Sequence, residues 1–189
     1  MLYDCFLYFD EKELLELRVE ILKDVVDGFI ITDGNLTFKG DPKPYTCLDA
    51  IRELGLPEEK IQVLHVELPP KEAAPNPWVR EYAQRDALAV GMRLTAPDSV
   101  FFFSDVDEIP KPASLLQAVE LAKQNPDQCV RLSMPMFYGR GDLRVTDPKG
   151  DANKPPNNWT CGTVVLFDHL EETPSQIRMK DNRMLVGDC

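Results

Sequence analysis

Short apolar runs alternate with amphipathic stretches along most of the chain. Runs rich in aromatic and β-branched residues predict strands at residues 2–9, 29–31, 61–68, 129–138 and 159–167, and a central one opens the stretch 100–110. Apolar residues at helical spacing predict helices at residues 11–26, 48–54 and 113–124, a helix that begins at Pro77, and a short helical segment at 175–179. This alternation predicts an α/β fold in which a mostly parallel sheet is flanked by helices on both faces.

Single residues predict several boundaries. Asp10 is placed to cap the first helix and Gly28 to end it, and Asn76 is placed to cap the helix that Pro77 opens. Residues 139–158 are rich in Gly, Pro, Asp and Lys and predict a long mobile loop. The length of 189 residues fits a single domain, residues 1–189. The ending at Cys189, with no closing helix, indicates either a cut or a strand start without its partner.

The most informative stretch is VFFFSDVDEIP, from Val100 to Pro110. Its four bulky apolar residues indicate a strand buried on both faces, which Pro110 ends. Asp105 and Asp107 are two residues apart, so an extended backbone would point both side chains the same way. Ligands of open α/β sheets sit beyond the carboxyl ends of strands, where carboxylates offer Mg²⁺ or Mn²⁺ the oxygen ligands they prefer. We therefore predict a metal site at Asp105 and Asp107, in preference to an acidic loop or a helix cap.

Composition narrows the class of partner. The net charge of −11 argues against nucleic acid or an anionic membrane as a binding partner. If so acidic a protein binds a phosphorylated ligand, a cation is needed between the protein and the phosphate. No apolar run is long enough to span a membrane, and the start of the chain shows no signal peptide. The five cysteines are scattered without a Cys-x-x-Cys pair, which indicates reduced thiols in a cytoplasmic protein rather than disulfides or a zinc site.

Other polar residues are candidates for binding a nucleotide. Asp33 follows a buried strand and could accept hydrogen bonds from a ribose or base, or could belong only to the turn before Gly34. Glu81 and Arg85 lie one helical turn apart. Arg85 could therefore reach a phosphate or form only a surface ion pair with Glu81, and the residues alone favour the ion pair.

Three more candidates each have a plain structural alternative. Lys43 is a phosphate candidate and otherwise an ordinary surface lysine. Trp78 could stack on a ring, although a tryptophan at a helix start more often belongs to the core. Glu108 could bind a metal-bound water or a sugar, or could simply be solvated.

Several motifs together resemble one family, the β-1,4-mannosyl-glycoprotein β-1,4-N-acetylglucosaminyltransferases, or bisecting-GlcNAc transferases, and their bacterial relatives. The matching stretches occur in the family's order and cover nearly the whole chain: YDCFLYF at 3–9, TFKG at 37–40 with Lys43-Pro44, WVREYAQR at 78–85, SDVDEIP at 104–110, and Trp159 with Gly162-Thr163. Two departures stand out. Asp33 replaces the more frequent Glu, and the relatives continue into a Gly-Trp-His-Phe segment that this chain lacks.

The resemblance implies a GT-A-type nucleotide-sugar-binding fold, UDP-GlcNAc as the donor, a glycan acceptor, Mn²⁺ or Mg²⁺ as cofactor, and inversion at the sugar carbon. It also implies that the Trp78–Arg85 helix lies beside the donor. An inverting transfer needs a general base near the acceptor hydroxyl, for which Asp142, Asp168 and Glu171 are candidates without a motif to choose among them. His65 and His169 are expected to be structural.

Two alternatives remain open at this point. A phosphohydrolase of the haloacid dehalogenase type also places an Asp-x-Asp after an apolar strand, with the first Asp as nucleophile. In those enzymes the motif usually lies near the chain start, whereas here it lies mid-chain and Glu108 follows it. The second alternative is a shortened transferase that binds a nucleotide sugar without transferring it.

Overall fold

The structure is a computed structural model that describes residues 1–135, 137, 158–160, 162–169, 171–179 and 183–186 of the chain. Across these ranges the chain forms a seven-stranded sheet with helices on both faces. The strands are β1 (Leu2–Tyr8), β2 (Gly28–Gly34), β3 (Ile61–Val66), β4 (Val100–Ser104), β5 (Cys129–Leu132), β6 (Met134–Pro135), β7 (Asn158–Trp159), β8 (Thr163–Leu166) and β9 (Arg183–Val186). The helices are α1 (Lys12–Leu22), α2 (Cys47–Glu53), α3 (Pro77–Asp86), α4 (Leu88–Met92), α5 (Pro112–Gln124) and α6 (Pro174–Met179).

The predicted mostly parallel α/β sheet is confirmed. The strand order is β3-β2-β1-β4-β8-β5-β9, and among the described strands of this sheet only β8 runs antiparallel to its neighbours, β4 and β5. The short strands β6 and β7 form a separate antiparallel pair. Because β1, β2 and β4 run parallel, their carboxyl ends meet at one edge of the sheet. That edge is where the candidate site lies.

The apolar core lies on both faces of the sheet, as the bulky run in β4 predicts. Phe102 and Phe6 pack on one face with apolar residues of α1, α2 and α5. Phe101 and Phe103 pack on the other face with residues of α4 and with Ile177 of α6. Alternation of side chains along each strand sends successive residues to opposite faces, so every position of β4 is buried.

The first helix differs from its prediction at both ends. Asp10 does not cap it, because Asp10 has a backbone φ of 80° and Glu11 takes the N-cap position without a side-chain cap bond. The Glu11 carboxylate instead accepts a hydrogen bond from the Phe9 backbone N–H at 2.7 Å. The helix ends at Leu22 rather than at residue 26. The chain turns there so that Asp27 can accept a hydrogen bond from the Leu2 N–H at 2.6 Å.

Gly28 was expected to break a helix, but it is the first residue of β2, which continues through Asp33 to Gly34. A Cβ at Gly28 would come within 3.1 Å of the Lys60 carbonyl oxygen and of the Tyr3 ring. The glycine is therefore needed for the close approach of neighbouring chain segments. The cap of α3 is confirmed, since the Asn76 side chain accepts from the Trp78 N–H at 3.1 Å and Pro77 opens the helix.

The predicted strands at 129–138 and 159–167 are each divided in the structure, into β5 with β6 and into β7 with β8. Sequence patterning also missed α4 and β9, which are too short for their periodicity to be distinctive. Most of the predicted loop at 139–158 lies outside the described residues, and its last residue, Asn158, belongs to β7.

Candidate active site

The acidic stretch after β4 folds as a tight turn. The strand ends at Ser104, and the Glu108 N–H donates to the Asp105 carbonyl at 3.0 Å, which closes the turn. The Asp105 N–H in return donates to Oε2 of Glu108 at 3.0 Å. The prediction of an extended backbone from Asp105 to Asp107 is therefore wrong, because residues 105–108 form a turn. The assignment of the two carboxylates to a metal stays a prediction.

A buried arginine from α1 fixes the backbone of this turn. Arg18 is fully buried and donates to the carbonyls of Asp105 at 2.6 Å, Val106 at 3.2 Å and Glu108 at 3.3 Å. Its charge is balanced by the fully buried Asp4 of β1, which accepts from Nε at 2.8 Å and from Nη2 at 2.7 Å. One guanidinium thus ties the first strand, the first helix and the turn together.

The carboxylate of Asp105 lies between two further arginines. Nη2 of Arg85, on α3, donates to Oδ1 at 2.9 Å, and Nη2 of Arg178, on α6, donates to Oδ2 at 2.7 Å. Arg85 also donates to Glu81 at 2.7 Å, as its helical spacing predicts. Its side chain is only 4% exposed, so the alternative of an ordinary surface pair with Glu81 is wrong. The sequence places Glu81 and Arg85 on one face of α3, and the structure turns that face toward Asp105.

Glu108 is buried and paired rather than solvated. Its side chain is 7% exposed, and its two oxygens accept from Arg178 at 3.0 Å and 2.9 Å. This geometry removes the alternative of a solvated carboxylate. Glu108 closes the turn through the Asp105 N–H and links it to α6 through Arg178.

Asp107 is the most exposed of the turn's three carboxylates, although it is still partly covered by the protein. Partial burial raises the pKa of Asp107, and the neighbouring Glu108 and Asp105 carboxylates raise it further. Desolvation and the two neighbouring carboxylates thus all disfavour a negative charge on Asp107. A cation bound beside the turn would offset these effects.

The charges of the cluster agree with a divalent cation. The turn's three carboxylates and Glu81 carry four negative charges, against two positive charges on Arg85 and Arg178, so two negative charges remain. Arg18 and Asp4 neutralise each other beneath the turn. In the part of the chain that the structure describes, no group of three or more His, Cys, Asp or Glu is arranged to hold a metal alone. The residues fit an ion that takes its remaining ligands from a diphosphate and water, as Mg²⁺ does.

Asp33 and Lys43 form a second buried pair near the same edge. Oδ1 of Asp33 accepts from the Lys43 ammonium at 2.7 Å, and Oδ2 accepts from the backbone N–H groups of Thr46 and Cys47 at 2.8 and 2.9 Å. Asp33 is fully buried within β2 and Lys43 is 9% exposed. The alternatives of a turn residue and of a plain surface lysine are therefore both wrong. The pair fastens the 35–46 loop and the start of α2 to the sheet.

Trp78 stands on the surface of α3 rather than in the core. Its side chain is 57% exposed, and it stacks on Tyr82 with ring centroids 6.3 Å apart. Positions 78, 81, 82 and 85 share one stripe of the helix, so the aromatic pair lies on the same side as Glu81 and Arg85. Trp78 is about 10 Å from Arg85 along the helix axis.

The candidates for a general base are not brought into the cluster by any described contact. Asp168 and Glu171 are exposed, and Asp142 lies outside the described residues. His65 stacks on Tyr45 with centroids 4.2 Å apart, in keeping with a structural role. The side chain of His169 is also outside what the structure describes.

Two arginines of the cluster were missed at the level of sequence. Arg18 interrupts the apolar face formed by Leu15, Val19 and Leu22, and Asp4 interrupts an apolar strand. Opposite charges at two such buried positions indicate a buried ion pair, so that signal was present. Arg178 had no comparable signal, because only the folding back of α6 brings it to Asp105 and Glu108.

Comparison with known proteins defines the class of the fold. The crystal structure of 4-diphosphocytidyl-2C-methyl-D-erythritol synthase matches with a TM-score of 0.56 and 11% identity, covering 100% of this chain and 90% of that one. The structure of S. aureus TarS, residues 1–349, matches with a TM-score of 0.52 and 12% identity, covering 100% and 59%. These neighbours confirm the expected GT-A-like fold. None of the described helices is long and apolar enough to cross a membrane.

Sequence comparison then identifies the family. The model of glycosyltransferase family 17 matches residues 1–136, and the chain belongs to that family. The mouse β-1,4-mannosyl-glycoprotein 4-β-N-acetylglucosaminyltransferase is 32% identical over 107 residues, which are 53% of this chain. The chain spans about a fifth of the length of the curated relatives it matches. Family membership confirms the resemblance seen in the motifs and favours a glycosyltransferase over the phosphohydrolase alternative.

Proposed function

We propose that this protein is a metal-dependent, inverting glycosyltransferase that moves N-acetylglucosamine from UDP-GlcNAc to a hydroxyl group of a glycan. The observation that supports it best is the acidic turn at the carboxyl end of β4. The cluster formed by this turn, Glu81, Arg85 and Arg178 carries an excess of two negative charges, in a family of glycosyltransferases. The named activity of the mouse relative supports N-acetylglucosamine as the sugar.

Asp105 and Asp107 would hold Mn²⁺ or Mg²⁺. When bound there, the ion would supply positive charge to the diphosphate that leaves with UDP. Arg18 keeps the turn in place from below, since its guanidinium already binds three of the turn's carbonyls. Such fixed donors and charges need no rearrangement as the leaving group gains charge.

The remaining candidates lie on α3 and β2. Arg85 projects from α3 onto Asp105 and would present its guanidinium to a phosphate. Trp78, further along the same helix, would stack on a sugar ring. Asp33 is fully buried and both of its oxygens are bonded within the protein, so it would support nucleotide binding by holding Lys43 and the 35–46 loop in place.

The acceptor hydroxyl needs a general base, for which Asp142, Asp168 and Glu171 remain the proposed candidates. Each can be tested by changing it to the amide, Asp142→Asn, Asp168→Asn or Glu171→Gln. Substitution of the residue that acts as the base should lower kcat strongly and leave UDP affinity unchanged, because the base contacts only the acceptor. The variant with that pattern would identify the base.

We also propose a cytoplasmic location. Among the described cysteines, Cys5 and Cys47 are buried free thiols. Burial raises the pKa of both Cys5 and Cys47, which keeps them protonated and slow to oxidise. Such thiols suit a reducing compartment. Fluorescence microscopy of a tagged full-length protein in its own cells would decide this.

The central experiment is titration calorimetry with UDP, in Mn²⁺ or Mg²⁺ and again with a chelator. We expect the unchanged protein to bind UDP only when the metal is present. In Asp105→Asn and Asp107→Asn the metal should no longer increase UDP affinity over that measured with the chelator. The matched control is Asp98→Asn, an exposed carboxylate before β4 at the opposite end of the strand. Equal UDP affinity with and without chelator in the unchanged protein would contradict the metal-dependent mechanism.

A transfer assay with a panel of nucleotide sugars and glycan acceptors follows the binding measurement. Transfer of N-acetylglucosamine with inversion supports the full proposal. UDP binding without transfer to any acceptor would indicate the alternative, a chain that holds the nucleotide sugar but is inactive at this length. Phosphate release from sugar phosphates without an acceptor would indicate a phosphohydrolase instead.

A further inference from the structure

Arg178 lies outside the part of the chain that matches the family model, yet it contacts the acidic turn directly. The match ends at residue 136, whereas Arg178 belongs to α6. Its guanidinium makes three hydrogen bonds to the turn, one to Oδ2 of Asp105 at 2.7 Å and two to the oxygens of Glu108 at 2.9 and 3.0 Å. Arg178 therefore belongs to the cluster around the acidic turn, although it lies outside the residues that match the family model.

The backbone that carries Arg178 is anchored from two directions. Arg131, fully buried in β5, donates to the backbone carbonyls of Ile177 and Arg178. At the other end of α6 the Ser175 N–H donates to Asp86 at the end of α3, at 2.8 Å. Because the helix is held by its backbone, the long Arg178 side chain can change partners without moving α6.

Arg178 and a divalent cation would compete for the carboxylate of Asp105. Both of its carboxylate oxygens already accept from an arginine, Oδ1 from Arg85 and Oδ2 from Arg178. A cation that binds Asp105 would stand close to the Arg178 guanidinium, and like charges at such a distance repel. A donor diphosphate would bring new anionic oxygens into the same space, and these match the bidentate fork of arginine.

We propose that Arg178 is an exchangeable counter-ion of the acidic turn. Without ligand it neutralises Asp105 and Glu108, and with metal and nucleotide it leaves Asp105 and binds the diphosphate of the donor. This inference rests on the proposed function, since it takes a nucleoside diphosphate as the ligand. It adds to that function a binding residue from α6 and a reason why metal and nucleotide should bind together.

The proposal predicts changes in opposite directions for two affinities. Arg178→Gln removes the cation that competes with the metal, so Mn²⁺ should bind the nucleotide-free protein about tenfold more tightly. The same change removes a phosphate ligand, so UDP at saturating Mn²⁺ should bind about tenfold more weakly. A residue that only held the turn in shape would lower both affinities or change neither.

The experiment measures Mn²⁺ binding by electron paramagnetic resonance and UDP binding by calorimetry, on the full 189-residue chain. Arg178→Lys retains the charge but not the fork and should give intermediate values for both. The control is Arg52→Gln on α2, where the side chain is 59% exposed and pairs with Glu58. It should leave both affinities unchanged. Urea unfolding of each variant shows that it is folded.

A second measurement needs no variant. The Arg178 Nε–H resonance should shift when UDP and diamagnetic Mg²⁺ are added together, because its partners change from carboxylates to phosphate oxygens. A resonance that does not move while UDP binds, or a fall of both affinities in Arg178→Gln, would overturn the exchange. If the unchanged protein does not bind UDP at millimolar concentration with Mn²⁺, the proposed function fails. The Mn²⁺ measurement then still tests the competition at Asp105.

Discussion

Arg18 and Asp4 form a bidentate ion pair in which both side chains are completely buried, with Nε to Oδ2 at 2.8 Å and Nη2 to Oδ1 at 2.7 Å. The guanidinium also lies over the rings of Phe6 and Phe102, at 4.5 and 5.6 Å from their centroids. The Arg18 guanidinium therefore has little freedom to move. The residue that supports the acidic turn is itself held rigidly by the core.

Arg18→Met should destabilise the protein by about 3–5 kcal/mol, because Asp4 is left buried and unpaired. The double variant Asp4→Val/Arg18→Met should recover much of that loss, since no buried charge remains. It should not recover UDP binding, because the carbonyls of the turn still lack their donor. Urea unfolding and calorimetry measure the two properties separately. Full UDP affinity in the double variant would show that Arg18 serves stability alone.

Arg85→Ala should weaken UDP binding at saturating Mn²⁺ by about tenfold, because it removes a guanidinium from beside Asp105. We expect a loss of stability of about 1–3 kcal/mol, more than an exposed helical pair contributes, since Arg85 is nearly buried. The companion variant Glu81→Gln breaks the helical pair but keeps the contact with Asp105. Equal UDP affinity in Arg85→Ala and the unchanged protein would show that the contacts of Arg85 with Glu81 and Asp105 stabilise the fold without contributing to nucleotide binding.

Trp78→Ala should raise the KM for the acceptor glycan several-fold and leave UDP affinity unchanged, if the ring that it stacks on belongs to the acceptor. A fall in donor affinity would place the donor sugar on Trp78 instead. The control is Leu94→Ala, an exposed apolar residue that follows α4 and is 73% exposed. Because Trp78 is 57% exposed, its loss should scarcely change stability. An unchanged KM and an unchanged UDP affinity would leave Trp78 without a role in binding.

The Cys47 thiol should make stability fall at high pH. Burial raises the pKa of Cys47 to about 12, and the Asp33 carboxylate contributes to the rise. The unfolded thiol ionises near its ordinary pKa of about 8.5, so above that pH the folded state binds the extra proton. Stability should then fall by about 1.4 kcal/mol per pH unit between the two pKa values. Cys47→Ser, unfolded in urea across pH 8 to 11, should show a shallower decline.

Thiol labelling offers a separate check on Cys47. At pH 8.5 the native thiol should react slowly with Ellman's reagent, and it should react fast once urea unfolds the chain. The labelled residue is identified by mass spectrometry of the digested protein. Rapid labelling of Cys47 in the native protein would contradict the burial of its side chain.

The sheet could be predicted from sequence because its strands are long or strongly apolar. The run at Phe101 to Phe103 has a pattern that only a strand covered on both faces explains, and the structure covers both faces. The exact ends of α1 could not be predicted, because they depend on the contact between Asp27 and the Leu2 backbone, which is tertiary. The elements β9 and α4 are short and lack a bulky apolar run like that of β4, so their patterns could not be recognised.

The candidate site was predictable only in part for a related reason. Asp105, Glu108, Glu81 and Arg85 come from two compact motifs, and the structure brings those motifs together. The contacts of Asp33 with the α2 start follow from the fold and not from neighbouring residues in sequence. Arg178 comes from the far end of the chain, where sequence spacing carries no information about its distance from Asp105.

The antiparallel placement of β8 has a consequence for how the chain folds. Strand β4 is among the most apolar in the sheet, and its residue Val100 pairs with Leu166 of β8. During synthesis, the edge of β4 that pairs with β8 stays unpaired until β8 has been made. An unpaired apolar strand edge readily pairs with another chain. Folding should therefore be slow, because the long chain segment between β4 and β8 must lose conformational entropy before the two strands can pair. Refolding at increasing protein concentration should yield more aggregate, and a peptide with the sequence of β8 should reduce it.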